Sequence, residues 1–314
     1  MTGWGGSRWA WRVALGALAA GLACGAADAG AVEAGAESTT VILLGTGMPV
    51  PDPHAQGPAI AVTVGARIFL FDAGAGVERQ MSAAGLPVRK GPLTSVFLTH
   101  LHSDHTLGLP DVILTSWVMG RSAPLRIVGP RGTRSMVRNI LAAWSEDIHV
   151  RTEGLEHDAR GGQAARVIET DGGVVYDSAG VHITAIPVSH GIWKHAFGYR
   201  VDAPGRTIVI SGDTAPSEAL ERAARDADLL IHEVYPEVRL QAEDRAGGED
   251  WVRYMRSFHT SDHELGALCL RARPGHLVLV HIVRMGGTDE ELMAGIRAGG
   301  FTGRVTIGHD LDRY

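Results

Sequence analysis

The sequence predicts an α/β protein. Short β-branched runs recur along most of the chain, longer stretches of helical character lie between them, and glycine-rich turns follow two early strands. With 45% hydrophobic and 20% charged residues among 314, the chain can bury one large core and carries no composition typical of disorder.

The first residues are set apart from the fold. Arg8 and Arg12 precede an apolar run over 13–24 that ends in small residues, the pattern of a signal peptide. Cleavage after Ala29 fits Ala27-Asp28-Ala29, which gives a leader at 1–29, a linker at 30–39 and one folded domain at 40–314. The run is too short to span a bilayer, so the mature form is expected to lack a transmembrane segment and to be periplasmic or secreted. Anchoring through an acylated Cys24 is the weaker expectation, because Gly21 stands where such signals carry leucine. Without the leader, Cys269 is the remaining cysteine and no internal disulfide can form.

Within the domain, strands are expected at 41–44, 60–64, 68–71, 95–99, 125–128, 181–188, 207–211, 229–232 and 276–281, each a short β-branched run bounded by turn residues. Helices are expected at 76–84, 109–119, 132–144, 217–224, 261–271 and 289–298, the last with Thr288 in a capping position. The glycine turns at 45–47 and 72–76 match neither Rossmann nor Walker spacing. The stretch 145–180 is polar and weakly patterned, and reads as a long surface loop that shapes substrate access.

The net charge is −6, and −7 without the leader, with no polybasic run. Charge therefore gives no sign of a nucleic-acid partner, and none is expected.

The sharpest local signal is Thr99-His100-Leu101-His102-Ser103-Asp104-His105, directly after an apolar strand. His100 and His102, two residues apart in extended chain, project to one side, and Asp104 and His105 can turn toward a second position. That arrangement suits two neighbouring metals better than one. Three further apolar runs end in the same residue types, at His190, Asp213 and His281, so strand ends can converge on one edge.

The run His-x-His-x-Asp-His resembles the signature of the metallo-β-lactamase superfamily. Leu43-Leu44-Gly45-Thr46-Gly47, His232-Glu233-Val234 and His259-Thr260-Ser261 resemble the branch that contains ribonuclease Z and secreted zinc arylsulfatases. The resemblance runs from about Val41 to the end. It implies a four-layer αββα sandwich with a dinuclear metal site at one edge of the two sheets. It also implies that His100, His102 and His190 hold one zinc, that Asp104, His105 and His281 hold the other, and that Asp213 bridges. Manganese or iron would fit the same donors. Asp72 would support the site by hydrogen bonds, and His259, oriented by Glu233, would protonate the leaving group beside Asp104. His54, His195, His232 and His263 are given no metal.

The expected function is an exported dinuclear zinc hydrolase that cleaves a small anionic ester, an aryl sulfate or phosphodiester, with a metal-bridging hydroxide. A lactone or thioester hydrolase and a non-catalytic periplasmic metal-binding protein are the alternatives. A true β-lactamase fits less well, because Cys269 falls in an expected helix and His105 completes the motif. Homodimerisation, common among such relatives, is a further expectation.

Overall fold

In β1 (Thr39–Gly45) alternate side chains go to opposite faces: Val41 and Leu43 join one apolar cluster, Ile42 and Leu44 another. The same division repeats in β2 (Ala59–Val64) and β3 (Arg67–Phe71), where Phe69 and Phe71 face inward and Ile68 and Leu70 outward. The computed structural model describes residues 38–314 apart from 90–92, 159 and 246, so the expected leader and most of the linker lie outside the described residues. Thr39, read as the end of the linker, already pairs with Val64 in the first sheet.

The chain continues through α1 (Val77–Ala83), β4 (Leu93–Phe97), α2 (Ser103–Thr106), α3 (Leu109–Val118), β5 (Leu125–Gly129), α4 (Thr133–Ala143), α5 (Ser145–Glu153) and β6 (Ala165–Glu169). Strands β1 to β6 form one sheet in sequence order, antiparallel over the first three and parallel from β3 onward. Next come β7 (Gly173–Ser178), β8 (Val181–His190), β9 (Trp193–Ala203), β10 (Arg206–Ile210), α6 (Glu218–Ala223) and β11 (Leu229–Val234). A 3₁₀ turn (Glu237–Arg239), α7 (Trp251–Phe258), α8 (Asp262–Ala272), β12 (His276–Ile282), α9 (Asp289–Ala298) and β13 (Arg304–Ile307) complete the chain. Strands β7 to β13 form the second sheet, parallel from β10 onward.

The inner faces of the two sheets share one apolar cluster that includes Phe69, Phe71, Phe97, Tyr199, Ile231 and Val278. The outer face of the first sheet packs on α1, α3 and α4, and that of the second on α6, α8 and α9. The expected four-layer αββα order follows from strands that are apolar on both faces. Helix starts follow local chemistry: Ser261 and Thr288 form capping boxes with Glu264 and Glu291, and the Ser217 side chain accepts from Leu220 N.

The stretch 145–180 is not a loop. It holds α5, β6 and β7, elements with little apolar period to read: no residue of α5 is buried, and β6 and β7 bury only Val167 and Val175. The short α2, β9, the 3₁₀ turn, α7 and β13 also fall where no element was expected. In β9 the buried run Ala196–Tyr199 includes Gly198, where a Cβ would come within 2.7 Å of Leu220 and 2.9 Å of the Ile210 carbonyl. Glycine allows β9 to lie this close to its neighbours, and it also hides the strand from a propensity reading.

Candidate metal centre

The ends of β3, β4, β8, β10, β11 and β12 meet at one edge of the sandwich. Beyond β4 the segment turns into the short α2 and brings His100, His102, Asp104 and His105 within a few ångströms of one another. His190 closes β8, Asp213 follows β10, and His281 lies near the end of β12. His281 adopts φ 45, a left-handed conformation, and its backbone N–H donates to the Thr46 carbonyl at 3.0 Å.

The structure brings all seven expected metal donors together, in two sets. Donor atoms of His100, His102, His190 and Asp213 lie within 4.8 Å of one another, as do those of Asp104, His105 and His281. His102 Nδ1 is 2.9 Å from His100 Nε2 and 3.2 Å from His190 Nε2. In the other set His105 Nε2 is 3.5 Å from Asp104 Oδ2, and His281 Nε2 is 3.2 Å from the same oxygen. Asp213 touches both sets: Oδ1 is 3.4 Å from His105 Nε2, and Oδ2 is 3.5 Å from His281 Nε2 and 3.9 Å from His100 Nε2.

These residues fit a pair of metal ions. A tetrahedral centre with zinc–nitrogen bonds near 2.0–2.1 Å has ligand-to-ligand edges of about 3.3 Å, close to the separations above. His105 Nε2 and Asp213 Oδ1 are buried with no hydrogen-bond partner, a costly state unless a cation is shared between them.

In His100, His102, His105 and His190 the outward ring nitrogen is already engaged, which fixes the ring and leaves the inward nitrogen as the donor. His105 Nδ1 donates to Asp72 Oδ2 at 2.8 Å, and His190 Nδ1 donates to the Phe258 carbonyl at 2.8 Å. His100 Nδ1 meets Thr99 Oγ1 at 2.9 Å, and that hydroxyl in turn donates to Asp72 at 2.8 Å. Asp72 therefore orients two of the expected ligands, the supporting place expected for it. The turn after His190 depends on Gly191: it has φ 54, and a Cβ there would fall 1.9 Å from the Phe258 ring.

Electrostatics agree with this division of roles. Burial holds His100 well below the ordinary imidazole range and lowers His190 to about 4, so both stay neutral and able to coordinate. Burial alone would lower His105 and raise Asp213, but their mutual attraction outweighs it, helped by Asp72 on one side and His281 on the other. His105 is pushed up and Asp213 down, the signature of a carboxylate surrounded by imidazoles.

His259 lies at the C-cap of α7, with a ring nitrogen near Asp213 and His281. Its Nδ1 is 3.3 Å from Glu233 Oε2, close enough for an ion pair but without hydrogen-bond alignment. Burial lowers its basicity, yet the adjacent Glu233 more than compensates and raises it. Glu233 is fixed from behind, its other oxygen accepting from Thr260 N at 3.0 Å and Thr214 N at 3.3 Å.

Sequence reasoning missed Trp193, whose indole nitrogen lies 2.8 Å from His102 Nε2, and the aromatic face of α7, where Phe258 lies edge-on to His190 with centroids 4.9 Å apart. The only sequence signal for either is an aromatic residue close to a histidine already singled out. The other histidines lie away from the donor sets. His195 faces Asp171 at 3.6 Å, His232 is buried in β11, His263 belongs to α8, and His54 lines a cavity beside the centre.

A profile described as a β-lactamase superfamily domain matches residues 67–282. The chain belongs to the metallo-β-lactamase superfamily, as a metallo-hydrolase of that fold. Within the superfamily it groups with ribonuclease Z: the protein of that name from Mycobacterium bovis (strain BCG / Pasteur 1173P2) is 37% identical over 280 residues, 87% of this chain and 96% of the relative. Two solved structures share the fold. The metallo-β-lactamase fold protein YhfI from Bacillus subtilis has a TM-score of 0.68 at 18% identity and covers 88% of this chain and 100% of its own. The short form of human tRNase Z has a TM-score of 0.62 at 24% identity and covers 88% and 98%.

These relatives correct one expectation. The net charge, the lack of a basic run and the leader gave no nucleic-acid partner, and the resemblance to zinc arylsulfatases gave a small anionic ester instead, yet the relatives are named for acting on RNA. Net charge fails here because it sums the whole surface, whereas a strand that reaches a buried metal centre meets only the local field.

Proposed function

We propose that this chain is a dinuclear zinc phosphodiesterase that cleaves RNA. The observation that carries the reading is Asp213 shared between two donor sets, with His259 backed by Glu233 on the open side. In this reading His100, His102 and His190 hold one ion, Asp104, His105 and His281 the other, and Asp213 both. Five imidazoles and two carboxylates favour zinc.

Two divalent ions at such a site supply Lewis acidity toward water and toward a phosphoryl oxygen. The chain's own residues supply the rest. Asp104 and Asp213 keep negative charge against the cations, and Asp72 and Thr99 hold His105 and His100 in position. His259, kept protonated by Glu233, gives its proton to the departing oxygen. A cavity of about 320 Å³, lined by His102, Asp104, Tyr254 and His259 among others, admits the phosphodiester.

The test is cleavage of a 3′-extended precursor tRNA and of an unstructured RNA by zinc-loaded protein, with p-nitrophenyl sulfate as the comparison. RNA cleavage without sulfate turnover supports the reading; a zinc-replete protein that leaves both RNAs intact contradicts it. The leader at 1–29 belongs to the same proposal and places the enzyme outside the cytoplasm, with a mature chain that begins at Gly30. N-terminal sequencing of the protein recovered from cell fractions checks it.

A further inference from the structure

Beside the metal cavity lies a larger one of about 620 Å³, and Met48, Val50, Arg245, Trp251 and Val283 line both. Two of these residues, Arg245 and Trp251, end a column of stacked planar groups, of which Tyr254 lines the metal cavity alone. Tyr254 stacks on Phe258 with centroids 4.3 Å apart and planes 22° from parallel, and Trp251 on Tyr254 at 5.4 Å and 12°. Phe258 in turn lies nearly parallel to His102, at 14° and 6.5 Å. The column thus starts at an expected metal ligand and runs outward along α7.

Its outer end is the Arg245 guanidinium, 3.7 Å from the centroid of the Trp251 ring. Glu243 and Glu249 hold it there through ion pairs at 3.3 and 3.2 Å. Their two charges compensate the guanidinium, so it serves poorly as a hook for phosphate. Trp251 covers one face of its plane, and the side chain is still 36% exposed. Trp251 lines both cavities, and its indole nitrogen is buried with no hydrogen-bond partner among the described residues.

We propose that the outer face of Arg245 is the stacking surface for an unpaired nucleobase next to the cleaved phosphodiester, and that the larger cavity receives that nucleotide. The inference rests on the ribonuclease reading and names how the strand is held. A guanidinium plane stacks on any base, and the mostly apolar residues behind it suit a base rather than a backbone.

The experiment uses zinc-loaded full-length protein and a single-stranded oligoribonucleotide whose cleavage position has been mapped. An abasic nucleotide is placed in turn on each side of that position, and wild type is compared with Arg245→Lys, which keeps the charge and loses the plane. The expected result is a rise in KM of about tenfold for one of the two abasic substrates with wild type. Arg245→Lys shows a similar rise on the intact substrate and no further rise on the abasic one, with zinc content and thermal midpoint unchanged. Equal KM for both abasic substrates and the intact strand, or wild-type KM in Arg245→Lys, overturns the subsite while RNA cleavage itself persists. Failure of the zinc-replete wild type to cut any RNA overturns the ribonuclease reading and this subsite with it.

Discussion

Asp72 accepts a hydrogen bond from Nδ1 of His105 at 2.8 Å, across 33 residues of chain and from a backbone position with φ 58. Its second oxygen accepts from Thr99 N at 2.8 Å, so one carboxylate fixes both an imidazole and the turn that presents His100 and His102. Asp72→Ala is expected to weaken metal binding by about 10- to 100-fold, the usual loss when such a supporting partner is removed. Competition with a chelator measures it, and an unchanged affinity would show that the turn holds itself.

Asp213 and His259 should separate cleanly. Asp213→Ala removes the carboxylate that contacts both donor sets and is expected to lose metal and activity together. His259→Ala leaves the seven donors in place and is expected to keep its metal while kcat falls about 10²- to 10⁴-fold. Metal analysis beside steady-state kinetics distinguishes the two. A His259 variant that loses metal would make it a ligand instead.

Glu78 gives a test of stability remote from the centre. Both its carboxylate oxygens are buried without hydrogen-bond partners among the described residues, and burial, followed by the nearby Asp111, raises its pKa from 4.5 to about 8. A carboxyl with a raised folded-state pKa contributes its full stability below pH 4.5 and loses it as pH rises toward 8. Glu78→Gln should therefore match wild type near pH 4.5 and become progressively more stable than it up to about pH 8, by at most about 5 kcal/mol. Denaturant midpoints across that range read the difference, and parallel curves would contradict it.

Asp310 ties the last turn of the chain to the rim of the site. It accepts from Thr46 N and Oγ1 at 2.9 Å and from Gln56 N and Gln80 Nε2 at 2.8 Å, and the Thr46 carbonyl receives the N–H of His281. Asp310→Ala is expected to cost about 3 kcal/mol, since it strands several donors to a charged acceptor. It should also loosen His281, read as weaker binding of one of two metals. Chemical denaturation and metal titration check the two parts.

The convergence of the seven histidines and aspartates could be read from sequence because each follows a run of apolar strand residues, and a sandwich places strand ends at one edge. His190, Asp213 and His281 lie far apart in the chain, yet each ends such a run. What surrounds them was harder to read. β9 carries Trp193 to His102, but Gly198 and the charged residues along it mask its character. α7 sets Trp251, Tyr254 and Phe258 at spacings of three and four on one face, but charged residues and a single buried position, Met255, make it read as surface chain. The nucleic acid that the relatives are named for was not anticipated for a different reason: net charge sums the whole surface and says little about the local field at one site.

The most direct test of the account is metal stoichiometry of the purified, folded protein by elemental analysis, with Asp213→Ala measured alongside. Two zinc ions per chain in wild type and fewer than one in the variant are the results expected. A folded wild type that takes up a single ion or none under zinc excess would contradict the pairing of the two donor sets through Asp213.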